Sequence, residues 1–132
     1  MKNYEQIRAA RAIVDGKNES LLGTDGGNIL SKIPTMIVAD GLLAAAAFAC
    51  SKGGGHEVCM NSIFDHLAEV KILSGDGLTA KIEQLAKTQD PVLLRRATTE
   101  AIAYANYLKR FGTMFRKEAK RKQNDIDDDT EE

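Results

Sequence analysis

The stretch that decides the fold is Asp90–Lys122, DPVLLRRATTEAIAYANYLKRFGTMFRKEAKRK. Leu94, Ala97, Ala101, Tyr104, Leu108, Phe111 and Phe115 recur at alternating threes and fours, which puts them on one stripe of a helix. At about 100° per residue, Arg95, Arg96, Lys109, Arg110, Lys117, Lys120 and Arg121 fall on roughly the opposite side. The stripe must pack against something, so it anchors the helix. The basic face is then held in water, open to an anionic partner. Asp90-Pro91 supplies a cap and a first-turn proline, where the missing N–H has no intrahelical partner to lose.

Upstream, Asn3 can cap a first helix from about Tyr4 to Val14, with Ile7, Ala10 and Val14 on one face. Residues 15–28 include Gly16, Gly23, Gly26 and Gly27 and read as a flexible loop. Ile29–Lys32 reads as a short turn, and Pro34 as the start of a second helix reaching Ser51. That helix is apolar nearly all round, which places it in the middle of a bundle. Lys52–Gly55 ends it. A third helix follows over about Glu57–Leu73, with Met60, Ile63, Phe64, Leu67 and Val70 inward. Ser74–Gly77 is a stop, and a fourth helix spans Leu78–Lys87 with Ile82 and Leu85 inward. The expected fold is all-α: a compact antiparallel bundle of about five helices, forming a single domain over residues 1–122. Residues 123–132 are too acidic and too poor in apolar side chains to order themselves and are expected to be a disordered tail.

At 132 residues the chain supports one modest core, and its hydrophobic fraction of 43% is that of an ordinary globular protein. The net charge of −1 hides a segregation. Residues 1–90 carry 9 basic and 11 acidic side chains, residues 91–122 carry 9 basic and 2 acidic, and the last ten carry 6 acids and no base. The near-neutral balance is therefore set by the tail and says little about what the body attracts. The first helix follows Lys2-Asn3 directly, without an apolar leader, and the two cysteines read as free thiols. Both features fit a reducing cytoplasm. The apolar run Met36–Cys50 is broken by Asp40-Gly41 and is too short to span a bilayer.

No chemistry-bearing motif stands out. Cys50 and Cys59 are too far apart for the usual zinc pairing, so with His56 and His66 they are expected to be structural, and no metal or cofactor is expected. The glycine runs follow no strand and lack the lysine–hydroxyl ending of a phosphate loop. Neither a nucleophile elbow nor an H-E-x-x-H pattern occurs, so no catalytic residue is assigned. Asp65 and Glu69, beside His66 and Lys71, read as a solvated face. Asp40 is expected to pair with a base on a neighbouring helix or to mark an interface. A merely soluble face mixes charge signs, whereas the last helix does not. No solvent-facing aromatics interleave with its bases, so contact would be to a nucleic-acid backbone and without sequence preference.

Pro34-Thr35-Met36-Ile37-Val38 leading to Gly41-Leu42 and the Ala47-Phe48 region resembles the central helix of the small helical subunit of the type III-B CRISPR (Cmr) effector complex. Arg95–Tyr104, continuing through Leu108–Phe111, resembles that family's long C-terminal helix, and Tyr4–Ala9 resembles its opening. The resemblance implies a non-catalytic subunit that stacks into an inner filament and helps form the channel for guide and target RNA, in antiviral defence. Its implied partners are those RNAs, the backbone and large subunits, and further copies of itself. The RNA-binding residues expected on this basis are Arg8, Arg11, Arg95, Arg96, Lys109, Arg110 and Lys117. The alternative is a bundle that only scaffolds assembly, with Asp65, Glu69 and Glu83 of one copy meeting the basic helix of the next.

Overall fold

The computed structural model describes residues 2–21 and 28–130, with side chains given through residue 127. The described residues form six helices: α1 (Tyr4–Asp15), α2 (Asn28–Asp40), α3 (Leu42–Lys52), α4 (Gly54–Glu69), α5 (Leu78–Lys87) and α6 (Pro91–Thr130). The result is an all-α bundle built around α6, which packs against α1, α2 and α4. Helix α3 lies on α4 and α2, and α5 closes one end against α3 and α4.

Local chemistry explains most of the boundaries. The Asn3 side chain accepts from the Gln6 N–H at 2.8 Å, and the Gln6 side chain accepts from the Asn3 N–H at 3.0 Å. This reciprocal capping box satisfies two otherwise orphaned donors. At the other junction the Asp90 carboxylate accepts from the Val92 N–H at 2.9 Å, so α6 begins where Asp90-Pro91 indicated. Helix α5 has the expected limits, Leu78–Lys87.

The helix expected over 34–51 is two helices. Gly41 adopts φ 93°, a left-handed conformation that ends α2 at Asp40 and lets α3 start at Leu42. Helix α2 also begins earlier than the proline suggested. Pro34 lies inside it, and the Leu30 carbonyl loses its intrahelical donor there. Ile29, Leu30, Ile33 and Ile37 are all buried on one face, and burying those side chains offsets a proline cost of about 3 kcal/mol. The alanine-rich stretch is not central either. Leu42, Ala45, Ala46 and Ala49 are buried, while Val38, Ala44, Ala47 and Phe48 face solvent. Helix α4 ends at Glu69 rather than Leu73. Lys71 takes φ 64°, and the chain turns back so that the Ile72 N–H reaches the Leu67 carbonyl at 2.9 Å.

On α6 the stripe is buried as its spacing requires, with Ala97, Ala101, Tyr104 and Leu108 at its centre and Leu94, Phe111 and Phe115 at its partly covered ends. Gly112 leaves room on α6 for the Leu30 side chain of α2: a Cβ there would lie 2.5 Å from Leu30 Cδ1. The helix runs on to Thr130, past the Lys122 limit expected for it. Residues 123–127 of the segment expected as a disordered tail are helical and exposed. Of the loop expected over 15–28, residues 22–27 lie outside the described residues, while Leu21 is fully buried.

Candidate nucleic-acid interface

Arg95, Arg96, Lys109, Arg110, Lys117, Lys120 and Arg121 are all exposed and share one face of α6. From Arg95 to Lys109 is about 21 Å along the axis, and from Arg95 to Arg121 about 39 Å. None of the seven forms an ion pair among the described residues; the one pair on this part of the helix is Lys122–Glu118 at 3.5 Å. Asn106, Lys109, Arg110 and Thr113 line a shallow depression of about 420 Å³ midway along the face. Unpaired, extended cations at this spacing suit a polyanion. Their full hydrogen-bonding capacity is free for phosphate oxygens, and no internal ion pair has to break first.

Arg8 and Arg11 are placed differently. Arg8 grips the Glu100 carboxylate with two hydrogen bonds, Nε to Oε2 at 2.7 Å and Nη2 to Oε1 at 2.6 Å. Arg11 donates to Glu69 at 2.6 Å and lies 3.6 Å from Asp15. These two arginines tie α1 to α6 and to α4, and their charges are taken up by carboxylates, unlike those of the basic face.

Glu100 is the residue that sequence reasoning passed over. It is buried and accepts from His66 Nε2 at 2.8 Å as well as from Arg8. Burial pushes its carboxyl upward, but the hydrogen bonds and charges of Arg8 and His66 outweigh that and hold it below the usual glutamate range. A carboxylate can only accept, so the proton of neutral His66 sits on Nε2 and its buried Nδ1 has no hydrogen-bond partner. Burial lowers the His66 pKa, and the Glu100 interaction only partly restores it. The His66 ring stacks on Tyr104 with centroids 4.4 Å apart, and the Tyr104 hydroxyl donates to Asp15 at 2.6 Å. Arg8, Glu100, His66, Tyr104, Asp15, Arg11 and Glu69 thus form one continuous polar seam joining α1, α4 and α6. The available signal was an acid at the edge of an apolar stripe, between Ala97 and Tyr104.

His66 is therefore a core residue and not part of a solvated face, and Asp65 and Glu69 have internal partners. Asp65 lies 3.5 Å from the Nζ of Lys81, which is itself buried, and Glu69 holds Arg11. Asp40 is exposed at the end of α2 with no ion pair among the described residues. Cys50 and Cys59 are free thiols, and no cluster of three metal-binding side chains occurs among the described residues. No helix there is long and apolar enough to cross a membrane.

Comparison with known proteins agrees with this architecture. The chain matches no curated protein and no solved structure. A family model described as CRISPR-associated protein (Cas_Cmr5) matches residues 4–115, from the first residue of α1 to the last position of the α6 stripe, Phe115. An all-helical bundle whose long last helix carries a basic face, matched over nearly its whole folded body, belongs to the Cas_Cmr5 family, the small subunit of the type III-B CRISPR effector complex.

Proposed function

We propose that this subunit holds RNA by its phosphates along the exposed face of α6, as a non-catalytic component of a cytoplasmic antiviral effector. The observation that carries the reading is the row of unpaired cations Arg95, Arg96, Lys109, Arg110 and Lys117 on a helix whose opposite side is anchored in the core. Guide and target strands of the effector are the RNAs it would track. Backbone and large subunits and further copies of the chain would flank it in an inner filament, with residues 1–122 as the packing unit. Arg8 and Arg11, bound to Glu100 and to Glu69, act in this reading as struts for the helix and not as phosphate ligands.

The scaffold-only alternative draws support from exposed Val38 and Phe48, which offer apolar surface to a neighbouring subunit. Its electrostatic element is weaker. Asp65, Glu69 and Glu83 are already satisfied by Lys81, Arg11 and Lys87, so docking them on another copy's basic helix would exchange one set of pairs for another.

Binding of a 30–40-nucleotide single strand at several salt concentrations separates the two readings. Each phosphate contact contributes about 0.7 to the slope of log affinity against log salt for a single strand. Replacing Arg95, Arg96, Lys109 and Arg110 together by alanine should lower the slope by up to about 3, with unchanged helicity. An unchanged affinity and slope would remove these residues from the interface.

A further inference from the structure

The fold brings to the basic face something that α6 itself lacks. An open groove of about 440 Å³ lies between the first turns of α6, the start of α1 and the turn after α4. Its α6 wall is Val92, Arg95, Arg96 and Thr99, spaced as one helical face. Tyr4 of α1 and Ile72 of the turn after α4 contribute the rest of its apolar lining. The volume is within the range of small-molecule sites, about 300–1,000 Å³.

Three features give the groove a chemical preference. Tyr4 keeps 45% of its surface in solvent, and Val92 keeps 47%, so an aromatic and an aliphatic side chain stand uncovered beside two free guanidinium groups. The one acid in the lining, Glu100, is neutralised by the two-point grip of Arg8, which leaves Arg95 and Arg96 to set the sign of the groove. Finally, the Arg8 guanidinium lies 5.7 Å from the centre of the Tyr4 ring. The buried carboxylate thus fixes Arg8, and Arg8 steadies the aromatic ring.

We propose that this groove takes one nucleotide: the base against Tyr4 and the aliphatic walls, the phosphate on Arg95 and Arg96. This rests on the RNA reading above and deepens it, because it adds a base contact to a face otherwise suited only to the backbone. A planar, uncharged π-system next to a phosphate matches the pairing of an aromatic with two arginines. Stacking on a side chain accepts any base, so the contact adds affinity without sequence preference. Tyr4 and Arg8 are positioned 91 and 87 residues before Arg95 in the chain, which is why no interleaved aromatic is visible along α6.

The test compares a 30-nucleotide single-stranded RNA with an abasic ribose-phosphate strand of the same length, using the full chain at two salt concentrations. The base-bearing strand should bind at least about fivefold more tightly. Tyr4→Ala should abolish that preference while leaving the salt slope unchanged, and Tyr4→Phe should retain it. If Tyr4→Ala perturbs the fold, the neutral Val92→Ser, at an exposed position, should reduce the preference for the base-bearing strand and leave the salt slope unchanged. Equal binding of both strands by the native chain overturns the nucleotide site and leaves phosphate tracking standing. Binding of neither strand refutes phosphate tracking. In that case adenosine monophosphate is titrated while the Tyr4 ring protons are followed by NMR. Saturable shifts that Arg95→Ala/Arg96→Ala abolishes would assign the groove to a free nucleotide, and no shift would refute it.

Discussion

Removing the Glu100 carboxylate tests whether the buried polar seam holds the bundle together. Glu100→Ala deletes three hydrogen bonds at once, two from Arg8 and one from His66. Hydrogen bonds to a charged group contribute about 1.5–3 kcal/mol each, but Arg8 is at the rim and can turn toward water once released. His66 cannot, because its side chain is fully buried and would then have both ring nitrogens unsatisfied. Counting the Arg8 pair once at a reduced value and the stranded His66 donor in full gives a loss of about 3–4 kcal/mol. For a chain of this length the unfolding entropy near the midpoint is about 0.28 kcal/mol/K, so the melting temperature should fall by about 11–14 °C. Circular dichroism at 222 nm during heating, with urea unfolding alongside, measures both. The double variant Arg8→Ala/Glu100→Ala should be less destabilised than the sum of the singles. A fall of less than about 4 °C for Glu100→Ala would refute the claim that the seam contributes to stability. The seam also predicts acid sensitivity. Both His66 and Glu100 have folded pKa values below their ordinary ones, so the unfolded chain binds more protons than the folded one as pH falls. Stability should be full above pH 6.5, decline below it as His66 of the unfolded chain protonates, and decline further below pH 4.5 as Glu100 does. A flat melting temperature from pH 7 to 4 would contradict this.

Three other outcomes follow from the geometry. Lys71→Gly should raise stability by about 0.5–1 kcal/mol in urea unfolding, because Lys71 closes α4 at φ 64°; a loss would show that the side chain contributes more than the strain costs. Gly112→Val should cost about 1–3 kcal/mol, since its Cβ would come within 2.5 Å of Cδ1 of the buried Leu30; melting near the native temperature would mean that the Leu30 side chain can turn aside. Iodoacetamide should label half-buried Cys50 well before Cys59, whose thiol is fully packed and pushed up by burial to about 12; mass spectrometry showing equal rates would imply frequent opening of α4.

The sequence by itself determined the elements whose signal is local. The apolar stripe of α6, the Asn3 and Asp90 caps and the limits of α5 depend on spacing and capping within a turn or two, so they could be read from neighbouring residues. The basic face is equally local, since its members share a helix with the stripe that fixes their direction. The family resemblance was legible for the same reason, as an order of helical patterns. Where periodicity is absent the reading failed: a run that is apolar all round carries no phase, so it concealed the break at Gly41 and placed α3 deeper than it lies. Pro34 suggested a helix start because its local cost is certain, whereas the burial that offsets it arises only when α2 meets α6 and α4. Tertiary structure alone decided the pairing of Arg8 with Glu100 across 92 residues, and of Tyr4 with Arg95 and Arg96 in one groove. An exposed arginine and a strut are identical in sequence. They differ in whether folding brings a carboxylate within reach, and that depends on how three helices pack.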